Sequence, residues 1–145
     1  MRSLLFVPLV AIAAFATAQD KVMVPKPGTK MRSAILDGIR PKFLKETGLK
    51  AVKMKVLNIW AYKDYAFVHF MPLQPNGKDI DWKKTKYKEP FEQGMFDAGT
   101  AVLVHFEGKV WKVKEMAVGP TDVAWEPWPE KYKLPRKMFG MPDHW

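Results

Sequence analysis

Residues 60–70 have the sequence WAYKDYAFVHF, in which two alternating runs flank the polar pair Lys63-Asp64. The alternation and the polar pair predict a β-hairpin with a two-residue turn. The cross-strand pairs predicted by this turn are Trp60 with Phe67, Asn58 with His69, and Ile59 with Val68. Large apolar side chains then lie on both faces of the hairpin, although an antiparallel sheet can leave one face in water. The hairpin therefore predicts a sheet that is covered on both sides.

The two faces of this hairpin differ in character. Upstream of residue 57 the apolar residues alternate with the opposite parity, which predicts a β-bulge near Val56-Leu57. The first face is predicted to face the core, and it consists of Leu57, Ile59, Ala61, Ala66, Val68 and Phe70. The second face consists of Asn58, Trp60, Tyr62, Tyr65, Phe67 and His69.

A second hairpin is predicted over residues 99–119, GTAVLVHFEGKVWKVKEMAVG, with its turn at Glu107-Gly108. Its predicted core face contains Val102, Val104, Phe106, Trp111 and Val113. Its predicted solvent face contains Leu103, His105, Val110, Lys112 and Lys114.

Residues 29–48, TKMRSAILDGIRPKFLKETG, predict an amphipathic helix. Its apolar stripe consists of Met31, Ile35, Ile39 and Phe43. Thr29 is the expected N-cap and Gly48 the expected C-terminal stop. Pro41 lacks a backbone donor, so we expect a kink or a break near residues 38–40.

The predicted order of helix, hairpin, long connection and hairpin favours an α+β fold, with the helix packed on a four-stranded antiparallel sheet. Residues 30–145 form one domain, which includes a long connection at residues 72–98 and an aromatic, proline-rich tail at residues 119–145. Such an aromatic tail favours burial, and we expect Trp125 and Trp128 to cover the second face of the first hairpin.

Residues 1–18, MRSLLFVPLVAIAAFATA, combine one positive charge, an apolar run and a closing small-residue pattern. They predict a signal peptide that is cleaved before Gln19, and residues 19–29 then form a leader. The run is shorter than the ~20 apolar residues of a membrane span, although an uncleaved N-terminal anchor is the alternative. We expect a secreted or periplasmic protein with no transmembrane span after cleavage.

The chain carries a net charge of +9 and no cysteine. The charge favours an anionic partner, and a soluble basic protein without such a partner is the alternative. Residues 81–88, DWKKTKYK, are the candidate contact, in which lysines could bind an anionic polymer and exposed rings could contact bases or sugars. The candidates in this segment are Trp82, Lys83, Lys84, Lys86, Tyr87 and Lys88. A solvated loop held by two aromatic anchors explains the same pattern, and no motif predicts sequence-specific binding of nucleic acid.

The second candidate site is the outer face of the sheet, where Trp60, Phe67, His69 and His105 are the predicted ligand-binding residues. Two histidines without a third ligand at a fixed spacing do not predict a metal site. The only serines are Ser3 and Ser33, and neither has the setting of a nucleophile. We therefore predict no catalytic residue, no metal and no cofactor, and the sequence does not specify the oligomeric state.

One helix followed by a four-stranded meander resembles the cystatin-like and nuclear-transport-factor-like architecture. The segments IDWKKTKYKE, GMFDAGTAVLVHFEGKVWKV and AVGPTDVAWEPW are similar to those of uncharacterised small secreted bacterial proteins. This resemblance implies a fold but no activity. Cystatin inhibitors carry a Gln-x-Val-x-Gly hairpin tip, whereas this chain has Glu107-Gly108-Lys109.

These observations predict an exported binding or envelope-associated module. Its ligand is an anionic polymer or a small apolar molecule, and binding could use either the basic connection or a pocket between helix and sheet, as the resembled folds often do. One alternative is an enzyme of the same fold that uses an Asp or His in a pocket as a general base. The other alternative is a partner-binding or inhibitory protein.

Overall fold

The computed structural model describes residues 21–143, which have an α+β fold. A long helix, α1 (Lys30–Thr47), precedes a four-stranded sheet in the order β1-β2-β3-β4, with every neighbouring pair antiparallel. The strands are β1 (Lys53–Tyr62), β2 (Tyr65–Leu73), β3 (Thr100–Glu107) and β4 (Val110–Val118). Two short helices, α2 (Lys88–Glu92) and α3 (Trp128–Tyr132), and two 3-10 turns, Trp82–Lys84 and Arg136–Phe139, complete the fold.

The α+β class and the four-stranded antiparallel sheet are as predicted. The predicted signal peptide and His144 lie outside the described residues. No helix within residues 21–143 is long and apolar enough to cross a membrane.

The first hairpin has the predicted register, since Trp60 pairs with Phe67 across the two-residue turn. The bulge is also confirmed, because the register shifts between Val56 and Asn58. Leu57, however, was assigned to the core face, and this assignment is wrong. Leu57 is the bulged residue, and its side chain is 45% exposed.

The second hairpin differs from its prediction in two ways. Glu107 pairs with Val110, so the turn is Gly108-Lys109 rather than Glu107-Gly108. Gly108 has a φ of 70°, which suits the first position of such a turn. Leu103 was assigned to a solvent face, but it is fully buried because the C-terminal tail covers that face.

Helix α1 has the predicted caps, with Thr29 at its start and Gly48 at a φ of 76° after its end. It continues through Pro41, so the break that Pro41 was expected to cause does not occur. The helix packs on the first face of the sheet, and its fully buried side chains are Ile35, Ile39 and Phe43. Gly38 allows a close approach, because a Cβ at this position would lie 2.4 Å from the backbone oxygen of Trp111.

The connection between the hairpins lies on the same face as α1. It begins later than predicted, because Pro72 and Leu73 belong to β2. The side chains that hold it against the core are Ile80, Trp82, Tyr87 and Phe96.

The C-terminal tail covers the second face of the sheet, as expected. The Phe67 ring lies 5.7 Å from Trp125, 6.2 Å from Trp128 and 5.0 Å from Phe139, measured between ring centroids. The buried residues between this face and the tail are Phe67, Ala101, Leu103, Trp128, Met138, Phe139 and Met141. The sheet is therefore the middle layer between α1 with the connection on one side and the tail on the other.

The packing of α1 predicts a large effect of Phe43→Ala. The Phe43 ring is fully buried and meets Phe70 edge-on at 5.3 Å, so its removal leaves a cavity. We expect a loss of ~3 kcal/mol in the free energy of unfolding, measured by urea denaturation. Lys45→Ala, at an exposed position of the same helix, is the control and should change stability by no more than ~0.5 kcal/mol. Equal stabilities for the two variants would mean that α1 packs through another face.

The tail predicts a second result. A chain that stops after Gly119 loses Trp128, Met138 and Phe139, and so exposes Phe67 and Leu103. We expect it to lose more than ~3 kcal/mol of stability, the cost of one large buried ring, and to bind the uncharged dye Nile red or to dimerise. A chain that stops after Asp143 is the control. A short chain that stays monomeric, stable and free of dye would show that the tail contributes nothing to this core.

Candidate functional site

The predicted aromatic site on the second face is largely enclosed. Trp60 and Phe67 stack with their centroids 6.3 Å apart, and Phe67 is only 1% exposed because the tail surrounds it. Trp60 is half-buried, and Gly140 of the tail lies against its ring edge. Phe67 is therefore a core residue in this structure, and its role as a ligand contact stays a prediction.

The two predicted histidines do not form one site. His69 lies against Trp125, with ring centroids 5.1 Å apart, and its burial lowers its pKa while the charge of Asp97 raises it. His105 Nε2 lies 2.6 Å from Asp64 Oδ2, and its Nδ1 lies 3.5 Å from Glu107. Each histidine thus has its own partners. Among the residues described, no group of three or more His, Cys, Asp or Glu side chains could hold a metal ion.

The predicted basic segment is held to the protein by its aromatic residues. Trp82 is 3% exposed and lies 4.7 Å from Phe96 between ring centroids, and Tyr87 is partly buried beside both rings. The assignment of Trp82 as an exposed ring for bases or sugars is therefore wrong. The alternative interpretation, a loop held by two aromatic anchors, describes what the structure contains.

Two of the four lysines in this segment have carboxylate partners. Lys86 forms an ion pair with Glu46 of α1 at 2.9 Å, and Lys84 lies 3.9 Å from Asp81. Lys83 and Lys88 are exposed and make no ion pair within residues 21–143. Residues 74–99 as a whole contain five lysines and five carboxylates, so the connection is not a net basic surface.

A different site lies between α1 and the start of β4, and we call it the α1–β4 groove. It consists of two adjoining depressions of about 210 and 410 Å³ that share Ala34, Lys109 and Trp111. The other lining residues are Lys30, Met31, Asp37, Gly38, Pro41, Phe106 and Val110. Gly38 positions the groove, because it allows α1 to lie directly on the β4 backbone.

The groove combines apolar surface with positive charge. The apolar residues are Met31, Phe106 and Trp111, which also pack in the core between α1 and the sheet. Lys30 and Lys109 make no ion pair with any described residue, whereas Asp37 is paired with Arg40 at 2.9 Å. The α1–β4 groove can therefore accept a ligand with an apolar body and a negative charge.

Sequence reasoning anticipated a pocket between helix and sheet but did not identify the residues of this groove. The β3–β4 turn was placed one residue early, so Lys109 was not recognised as a turn residue beside α1. One signal was available in Gly38, because a glycine inside a helix costs up to ~1 kcal/mol relative to alanine and often marks close packing.

No family model matches the chain, and no curated protein or solved structure gives a significant match to it. The functional interpretation therefore rests on the chemistry and geometry of the molecule itself.

The tail is attached to β4 by a polar contact. Glu115 of β4 accepts hydrogen bonds from Lys131 at 2.5 Å and from the Tyr132 hydroxyl at 3.0 Å. The hydrogen bond from Lys131 lowers the pKa of Glu115, against the opposing effect of burial, and the Tyr132 hydroxyl lowers it further. The charged form of Glu115 is thus the form that holds the tail.

This contact predicts an acid-sensitive contribution to stability. Because the pKa of Glu115 is lower in the folded state, the unfolded chain binds more protons, so the contribution is present above the unfolded pKa of about 4.5 and is lost as the pH falls through the folded pKa. We expect Glu115→Gln to cost roughly 1 kcal/mol at pH 7, since the pair is partly solvated, and to cost nothing at low pH. Urea denaturation across this range measures the difference.

The matched control is Glu126→Gln, which changes an exposed carboxylate of the tail. It should leave the pH dependence of the wild type in place. A difference between Glu115→Gln and the wild type that stays constant with pH would contradict the assignment.

Proposed function

We propose that this protein is an exported binding module whose α1–β4 groove takes an amphipathic anion. The observation that carries the proposal is the position of Lys30 and Lys109, which have no ion-pair partner in the described residues, beside the apolar surface of Trp111. A ligand with an apolar body and a carboxylate, sulfate or phosphate group complements both features.

Two contributions to the free energy of binding favour such a ligand. Burial of its apolar body against Met31, Phe106 and Trp111 contributes about 25 cal/mol for each Å² of apolar surface removed from water. The lysines add electrostatic attraction to the anionic group. Salt screens the electrostatic attraction but not the apolar burial, so affinity should fall only partly as ionic strength rises.

Export is part of the proposal and is supported by the signal pattern of residues 1–18. A secreted or periplasmic location brings the groove into contact with envelope components. The order of helix and meander resembles the cystatin-like and nuclear-transport-factor-like architecture, in which a pocket between helix and sheet often serves for binding. The proposed ligand site lies beside that junction, at the rim of the helix.

The test uses dodecanoate below its micelle-forming concentration, with binding measured by isothermal titration calorimetry. Ala34 is exposed and lines both depressions, so Ala34→Trp should fill the groove and lower the affinity by about tenfold or more, a change of ~1.4 kcal/mol. Lys30→Ala with Lys109→Ala should lower it by a similar factor. Methyl dodecanoate, which lacks the charge, should bind more weakly than dodecanoate.

The matched control is Ser33→Trp, which places the same ring at an exposed neighbouring position outside the groove lining. It should bind dodecanoate as the wild type does. Equal affinities for the Ala34 and Ser33 variants would remove the groove as the binding site, and absence of binding to the wild type would reject the proposed ligand class.

A further inference from the structure

Three separate segments of the chain meet at one end of the molecule. Met23 of the leader pairs with Ala61, next to the β1–β2 turn. The β1–β2 and β3–β4 turns are adjacent, because the Phe106 N–H donates to the Asp64 carbonyl at 2.7 Å. The start of α1 lies at the same end, since Lys30 and Lys109 line one depression. We call this region the hairpin end.

The hairpin end carries an excess of positive charge. Its seven lysines are Lys21, Lys26, Lys30, Lys63, Lys109, Lys112 and Lys114, whereas its described carboxylates are Asp37, Asp64 and Glu107. All three carboxylates already have partners, since Asp37 contacts Arg40 at 2.9 Å, Asp64 contacts His105 at 2.6 Å and Glu107 contacts Lys114 at 3.4 Å. The other six lysines make no ion pair with a described residue.

Two exposed apolar side chains belong to the same end of the molecule. Val24, which follows the Met23 bridge, and Val110, at the start of β4, are each 54% exposed. Together with the α1–β4 groove, they give the hairpin end an apolar component. A linear polyanion contacts charges and gains nothing from exposed valines, whereas a bilayer presents anionic head groups above apolar chains.

We propose that the hairpin end docks on an anionic lipid bilayer. The lysines contact the lipid head groups, and Val24 and Val110 enter the boundary between head groups and acyl chains. This docking goes beyond the proposed function, because the lysines of the leader and of the β1–β2 turn lie outside the groove lining. It would concentrate the module at the surface where amphipathic anions occur.

The test is co-sedimentation of the protein with phosphatidylcholine vesicles that contain or lack phosphatidylglycerol. We expect binding to the phosphatidylglycerol vesicles alone and release by salt. The test variant combines Lys21→Gln, Lys26→Gln and Lys63→Asn, in which asparagine tolerates the φ of 53° at position 63. Each lysine removed should lower the partition coefficient about fivefold.

The matched control removes three exposed lysines from the opposite end of the molecule, by Lys45→Gln, Lys50→Gln and Lys55→Gln. It has the same net charge as the test variant and should bind vesicles more tightly than that variant. Equal losses in the two variants would overturn the docking surface in favour of general charge attraction. Binding to heparin without binding to vesicles would overturn it in favour of a linear polyanion.

A further variant, Val24→Ser with Val110→Ser, separates the apolar contribution. It should bind vesicles more weakly than the wild type and bind heparin equally well, and unchanged vesicle binding would contradict insertion of the valines. Because Val110 also lines the groove, the two proposals are separated by their ligands. Dodecanoate binding without vesicle binding would support the groove and reject the docking. Vesicle binding without dodecanoate binding would support the docking and reject the groove.

Discussion

The architecture depends on the burial of both faces of β2. Phe70 and Val68 lie on the face that α1 and the connection cover, while Phe67 lies on the other face, and all three are buried. A two-stranded ribbon with such faces would expose apolar surface on both sides, so the chain supplies a layer for each. This constraint explains why a small domain has a long, ordered tail: the tail is the third layer of the core.

Much of the fold could be predicted from local patterns. The first hairpin register and the bulge follow from the parity of apolar residues between Met54 and Phe70, and the helix bounds follow from Thr29 and Gly48. The errors arose where tertiary contacts override the local signal. Pro41 does not break α1, because its side chain lies at the groove and the buried residues Ile39 and Phe43 hold both flanking turns on the sheet. Leu103 appeared to be on a wet face because β3 alone does not reveal the tail above it.

The candidate site was less predictable than the fold. Residues 81–88 alternate lysines and rings in sequence, but the structure separates them: Trp82 turns into the core while Lys83 and Lys84 remain at the surface. The compensating charge of Glu46 comes from α1, forty residues away in the chain, and no local pattern shows it. The α1–β4 groove likewise depends on a helix and a turn that are distant in sequence. Charge and aromatic content could be counted in advance, but their pairing could not.

Protection of the sheet edges explains part of the positive charge of the molecule. Lys53 and Lys55 lie on β1, an edge strand whose bulge at Leu57 disrupts the pairing pattern, and both features are known to prevent edge-to-edge association of sheets. Lys112 and Lys114 lie on the other edge strand, where a second register shift occurs, and they have the same explanation. Protection of an edge does not account for Lys26, which lies in the leader, or for Lys63, which lies in a turn. Lys63 even takes a positive φ, which a glycine or asparagine would adopt more easily. The lysines that edge protection leaves without an explanation are therefore those of the leader and the turns.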